Sequence, residues 1–397
     1  MNVSRYKLTL LLNTFPSYSI SVFFSSIFIQ PRLFAYPLLL FNIKKIKLTR
    51  WNLILLLQIF IVFFTPFFGL FFDRSYYLLD IAYFISAIYT LLFINKTLDN
   101  VNAFNEFIRI VLLINIYYSA FQIFCFYSGL SELTMLHSNI PFHVESGYTV
   151  QSGIFLIPRY TGLFIESGPL TFFLCLTFPY LLQKRIEFPY YLKLLTFVLI
   201  IFTQSKFLLA FLPALLFELI FKRYMPSSYK LFTNSFAAFF VVTTFIAVIM
   251  TVLLQDSELN QYLGSTIPAY SERLFALRDG IKQIMDLPIF GKGLLPTNFD
   301  VEGATFNITG LDAISIILCG YGLVLGSILL LSYLLFPVLS KMDYKFTFII
   351  VLITGFISSG SLITPQYFFA ITYSILSHYQ NTHHTAIPII SKPGSMT

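Results

Sequence analysis

Long apolar runs, broken by short polar joints, repeat along almost the whole chain. At roughly 20 apolar residues for a bilayer crossing, the pattern predicts helical spans near 8–28, 33–43, 51–72, 76–94, 107–128, 161–183, 190–204, 207–221, 231–254, 311–338, 346–361 and 363–380. That makes about twelve spans and an all-α, polytopic helical membrane protein. The 33–43 run is short, so the first two runs also read as one helix kinked at Pro31 or Pro37. The pair 190–204 and 207–221 is short as well, and reads as a hairpin that stops below the far surface. Two longer polar stretches remain, about 129–158 and 255–310. Transmembrane barrel strands alternate in polarity and would not give such continuous apolar runs.

Composition agrees with this pattern. Of 397 residues, 57% are hydrophobic and 11% charged, with a mean hydropathy of +0.79. A soluble domain carries about 25% charged residues. Cys125, Cys175 and Cys319 all fall in apolar runs without metal-ligand spacing, so they read as small buried hydrophobes. No repeat or flexible linker divides the chain, which reads as one membrane domain over 1–380 with a polar tail over 381–397. His383 and His384 in that tail read as solvated rather than as metal ligands.

The charges sort by side. One side receives Arg5, Lys7, the cluster Lys44-Lys45-Ile46-Lys47-Leu48-Thr49-Arg50, Lys96, Lys184, Arg185, Lys222, Arg223, Lys230, Lys341 and Lys345. The short loops of the other side receive Arg32, Arg74, Arg159 and Lys206. The positive-inside rule makes the first side cytoplasmic. Both termini then lie inside, and the stretches 129–158 and 255–310 lie outside. A net charge of +7 suits basic cytoplasmic loops and implies no nucleic-acid partner.

Four outward segments carry candidate chemistry. The first is Pro158-Arg159-Tyr160-Thr161-Gly162-Leu163-Phe164-Ile165-Glu166-Ser167-Gly168-Pro169. Arg159 suits either lipid headgroups or a ligand. Glu166, about two turns into an apolar helix, calls for a partner or a cavity, and Gly168-Pro169 suggests a kink that opens room beside it. The second is the turn Thr203-Gln204-Ser205-Lys206, which at membrane depth would give Lys206 need of an anion. The third is Ser271-Glu272-Arg273. There Ser271 caps an amphipathic surface helix marked by Leu274, Leu277, Ile281 and Ile284 and ended by Pro288. Arg273 in its first turn needs negative charge nearby, from Glu272 or from a phosphate that its planar fork would match. The fourth runs from Asn307 to Asp312 and leads into a span containing Gly320-Tyr321-Gly322. Asp312 reads as a helix-terminal charge or as a base.

The order and spacing of these pieces, over about residues 155–335, resemble the O-antigen polymerase and ligase superfamily of Wzy-type polymerases and WaaL-type ligases. The pieces are Arg159-x-x-Gly162-x-Phe164-x-Glu166, then Ser205-Lys206, then Arg273 followed by Pro288-x-x-Gly291-x-Gly293, then Tyr321-Gly322. Ligases carry His-Asn where this chain has Leu311-Asp312, which favours a polymerase. The resemblance implies glycosyl transfer at the periplasmic face of a bacterial inner membrane. The donor would be a glycan on undecaprenyl pyrophosphate and the acceptor a hydroxyl of the next lipid-linked repeat, with a chain-length regulator and a flippase as partners. It implies Arg159, Lys206 and Arg273 around the departing pyrophosphate. Glu166 or Asp312 would serve as base. No metal or cofactor is expected. A ligase acting on a different acceptor, a lipid-linked oligosaccharide flippase and a catalytically dead assembly scaffold are the other readings. A flippase suits the chain less well, because its two halves do not look alike.

The side assignment has a direct test. Cysteines placed at 159 and 273 in a chain lacking its native cysteines should both react with a membrane-impermeant maleimide added from the periplasmic side. Labelling from opposite sides would break the constellation.

Overall fold

The computed structural model describes residues 49–72, 78–128, 167–183, 188–203, 205, 207–226, 288–291, 293, 298–301, 304–307, 313–358 and 365–383, with isolated positions between 228 and 242. Among them run helices α1 (Arg50–Gly69), α2 (Leu78–Leu98), α3 (Val101–Tyr127), α4 (Ser167–Leu181), α5 (Tyr190–Phe202) and α6 (Phe207–Tyr224). Then come β1 (Asn298–Val301), β2 (Ala304–Asn307), α7 (Ala313–Tyr321), α8 (Leu323–Leu339), α9 (Lys345–Ser358) and α10 (Pro365–His383). The fold is helical, as the apolar runs predict. The expected spans 8–28 and 33–43, and most of 231–254, lie outside the described residues, as do the loop 129–158 and the amphipathic helix after Ser271. Two helices, α1 and α3, are long and apolar enough to cross a membrane.

Several boundaries differ from the expectations. α3 begins at Val101, joined to α2 by only Asp99 and Asn100, because Phe104 N–H already donates to the Asn100 carbonyl at 3.1 Å. α10 runs to His383, three residues into the expected tail, where Asn381 binds the Lys341 carbonyl. The expected all-helical chain also contains one antiparallel two-stranded hairpin, with Phe299 opposite Phe306 and Val301 opposite Ala304. Gly168 and Pro169, expected to kink a span, lie in the first turn of α4. Proline's missing N–H costs no hydrogen bond there.

The bundle has two chemically distinct ends. At one, Asn52 of α1 and Asn95 of α2 exchange hydrogen bonds of 3.2 and 3.3 Å. Arg50 reaches the Leu339 carbonyl of α8 and the His378 ring of α10. Tyr180 of α4 donates to Asn105 of α3 at 2.7 Å and stacks on Tyr373 of α10 at 4.5 Å. Lys345 of α9 donates to the Val338 carbonyl at 2.9 Å, and Arg109 of α3 to Tyr191 of α5 at 3.2 Å. Every lysine and arginine among the described residues (Arg50, Lys96, Arg109, Lys193, Lys222, Arg223, Lys341 and Lys345) belongs to this basic end. At the opposite end, Phe172 of α4 stacks on Phe207 at the start of α6 at 5.1 Å. Phe356 near the end of α9 stacks on Tyr367 near the start of α10 at 5.2 Å. Phe172 also lies so close to Gly355 that a Cβ there would meet its ring at 2.1 Å.

The basic end is locked by one buried carboxylate. Glu218, 1% exposed, accepts from Phe346 N–H and Thr347 N–H at 3.2 and 2.9 Å, and from the Thr347 and Tyr229 hydroxyls at 2.6 Å each. It therefore caps the N-terminus of α9 from another helix, where free N–H groups and the helix dipole favour an anion. Burial pushes the Tyr229 phenol up, with the Glu218 charge adding to it, so its hydroxyl remains a donor. Beside it Lys222 pairs with Asp343 at 3.2 Å and lies 4.4 Å from the Tyr344 ring centre. Gln183 clasps the Asp343 backbone, donating to its carbonyl at 2.8 Å and accepting its N–H at 3.0 Å.

Glu218→Ala strands these buried donors, at about 1–3 kcal/mol for each group left unsatisfied. It should lower the thermal midpoint of the purified protein well below that of wild type. Glu218→Gln, which keeps one acceptor oxygen, should lower it less. Differential scanning fluorimetry of the detergent-solubilised protein reads both.

Candidate functional site

The five residues singled out from the sequence (Arg159, Glu166, Lys206, Arg273 and Asp312) lie outside the described residues. The segments next to them in the chain are described. Ser167, which follows Glu166, opens α4; Phe207, which follows Lys206, opens α6. The Phe172–Phe207 stack brings the starts of these two helices together at the end opposite the basic one. Ser205, beside Lys206, is buried, as is Thr203, whose hydroxyl donates to the Ile200 carbonyl at 2.6 Å. Ala313, which follows Asp312, opens α7 and is fully buried.

Two other motif segments meet directly. The expected span 311–338 is not one helix. It breaks at Gly322, whose φ of 79° lies in the left-handed region where a helix cannot continue. The chain then doubles back. A Cβ on Gly326 would lie 2.8 Å from the Ile317 carbonyl oxygen, whereas nine residues of straight helix would separate the two by about 13 Å. The turn Pro288-Ile289-Phe290-Gly291 docks into the break. A Cβ on Gly291 would fall 2.4 Å from Gly322 N and 2.5 Å from the Cys319 carbonyl oxygen. One on Gly322 would fall 2.5 Å from the Ile289 carbonyl oxygen. Val324 N–H, one of the donors left free at the start of α8, gives a 3.2 Å hydrogen bond to the Pro288 carbonyl. Gly291 and Gly293 also have positive φ, 66° and 108°. Gly291 and Gly322 are thus required by backbone lying on backbone.

This crossing belongs to the end opposite the basic one, because Leu323 begins α8 and Leu339, bonded to Arg50, closes it. Tyr321, next to the break and fully buried, lies 6.1 Å from Tyr83 of α2 between ring centres. One turn before Tyr83 stands Asp80, 2% exposed. Sequence reasoning passed over Asp80, although a carboxylate inside an apolar run is the usual signal of function. It also passed over the hairpin, whose Glu302-Gly303 pair between alternating residues is a two-residue turn signal. Among the described residues no cluster of histidine, cysteine or carboxylates suits a metal.

Comparison of the chain with protein-family models, curated proteins and solved structures finds no match.

Gly291→Ala and Gly322→Ala each place a methyl inside another backbone and also strain a positive φ. Each should destabilise the protein by about 2 kcal/mol or more, read as a lower thermal midpoint in detergent. Gly168→Ala, where nothing lies within 4 Å of the added Cβ, should leave the midpoint near wild type.

Proposed function

We propose that this chain is a polytopic membrane polymerase that joins undecaprenyl-pyrophosphate-linked oligosaccharide repeats into a surface polysaccharide at the periplasmic face of the inner membrane. Membrane residence draws support from the outer faces of the helices. Leu53, Leu56, Phe60, Phe63 and Phe67 form an exposed row along α1, and Ile110, Ile114, Tyr117, Phe121 and Phe124 do so along α3. Faces this apolar belong against lipid rather than water. Orientation draws support from the basic end, which by the positive-inside rule is cytoplasmic.

The observation that carries the catalytic reading is the crossing of Gly291 on Gly322. Two of the four segments on which the superfamily resemblance rests are packed together at the non-basic end. The starts of α4 and α6, next in the chain to Glu166 and Lys206, meet at that same end. A loop segment held there suits chemistry on a ligand whose lipid tail stays in the membrane.

In this reading Arg159, Lys206 and Arg273 neutralise the pyrophosphate as it departs, and the acceptor hydroxyl attacks the anomeric carbon that the pyrophosphate leaves. Cations preplaced where negative charge develops lower the barrier, and losing one such group typically costs about 10²–10³-fold in rate. The absence of His-Asn before α7 favours this reading over a ligase.

In a strain lacking the native gene, Arg273→Ala should leave single-repeat glycan on a gel where wild type gives a ladder, with the protein still in the membrane fraction. A normal ladder from Arg273→Ala would remove the mechanism. Undecorated acceptor from the gene deletion would point to a ligase instead.

A further inference from the structure

We propose that the basic end carries a binding site for an anionic phospholipid of the cytoplasmic leaflet, with the headgroup phosphate between Arg50 and Lys341 and the acyl chains along α1. This goes beyond the polymerase reading, from which it takes only the membrane placement and orientation of the chain.

Arg50 opens α1 and is exposed. Two rings hold its guanidinium. The Trp51 ring centre lies 4.6 Å away, and Nη2 stands 3.0 and 2.7 Å from the two ring nitrogens of His378. The same Nη2 reaches the Leu339 carbonyl at 3.5 Å. Nε and Nη1 meet no acceptor among the described residues. An arginine presents its N–H donors in a planar fork that matches phosphate oxygens. Here the rings position that fork and leave part of it open.

Lys341 stands beside it. Leu339, which Arg50 reaches, is only two residues away, at most about 7 Å of chain. Asn381, one turn after His378 on α10, binds the Lys341 carbonyl and pins that residue to the same corner. Lys341 is exposed, and neither it nor Arg50 has a carboxylate partner among the described residues. Two nearby acids are engaged elsewhere, Glu218 in the α9 cap and Asp343 with Lys222. Neighbouring cations with no anion between them repel one another, and a phosphate placed between them removes that repulsion.

A lipid, rather than a free anion, fits what lies below. Arg50, Leu53, Leu57 and Phe60 share one face of α1 at helical spacing, and the three apolar members are exposed. Leu335 and Leu339 are exposed on α8. That helix joins α1 through the Trp51–Phe336 stack at 6.0 Å and the Gln58–Ser332 hydrogen bond at 2.8 Å. An apolar surface thus begins directly under the cations, as a charged head with acyl chains requires. The sequence adds to the charge. Lys44, Lys45 and Lys47 precede α1, and the first 72 residues contain no Asp or Glu. Clusters of Lys and Arg immediately cytoplasmic of a span recognise anionic headgroups.

The test uses purified full-length protein in dodecyl maltoside, titrated with phosphatidylglycerol, with bound lipid counted by native mass spectrometry. Wild type should retain phosphatidylglycerol in preference to phosphatidylcholine, which has the same phosphate but no net charge. Arg50→Gln with Lys341→Gln should weaken the tightest phosphatidylglycerol Kd by about ten-fold or more. Lys341→Gln alone, which removes only an exposed side chain, should weaken it by a smaller factor in the same direction. Arg223→Gln with Lys193→Gln removes two other charges of the same end and should leave that Kd within about two-fold of wild type. Equal losses from the two pairs would mean diffuse surface charge and overturn the site. Displacement of the lipid by millimolar inorganic phosphate would mark a soluble-anion site and overturn the lipid assignment. Equal retention of the two lipids would overturn the proposal and leave the polymerase reading untouched.

Discussion

The non-basic end depends on two backbones lying directly on one another. Gly291 rests on Gly322 and Cys319, and Gly322 on Ile289, at separations that no side chain could share. Close packing of this kind requires the reversal between α7 and α8, because a straight helix through 322 would present a closed cylinder of side chains. It also ties the Pro288–Gly291 turn to the bundle at a fixed place. The Pro288 carbonyl takes one of the free donors of α8, so the loop caps the helix that it interrupts. Tyr321, next to the break, then carries the contact on to Tyr83 and α2.

Much of this was legible in the sequence. The apolar runs located most of the described helices, because length and hydropathy largely decide where a helix can be buried, but they missed the first six residues of α3 and ran α7 and α8 together. The charge pattern separated the two ends, since lysine and arginine avoid apolar surroundings wherever a polar end is near. The glycine motifs were visible as motifs, but their mutual contact was not. The two are separated by a hairpin and a short helix, and nothing local shows which distant backbone will fill the space a missing Cβ leaves. The break at Gly322 was hidden for a related reason. The apolar run continues through it, and a single glycine within a helix pattern does not say that φ turns positive.

The candidate site was legible only as a list of residue types. Arginine, lysine and carboxylate near span ends suggested anion chemistry, and the helices opening at Ser167 and Phe207 come together at the end opposite the basic one. Glu218 shows where such reasoning fails. A glutamate in an apolar run looks functional by sequence, yet its two oxygens are taken by the α9 cap and the Tyr229 and Thr347 hydroxyls.

Glu218 and Asp80 therefore form an instructive pair. Both are acids inside apolar helices, and both are almost fully buried. A carboxylate saturated by two backbone N–H groups and two hydroxyls has no lone pair to offer a ligand, and moving it would release the start of α9. Its burial is explained by what it holds in place. Asp80 stands in the first turn of its own helix. It lies a turn away from the aromatic contact that joins α2 to the glycine crossing. Burial alone does not distinguish a structural acid from a reactive one. At the basic end the fold needs the oxygens, since the start of α9 is built on them.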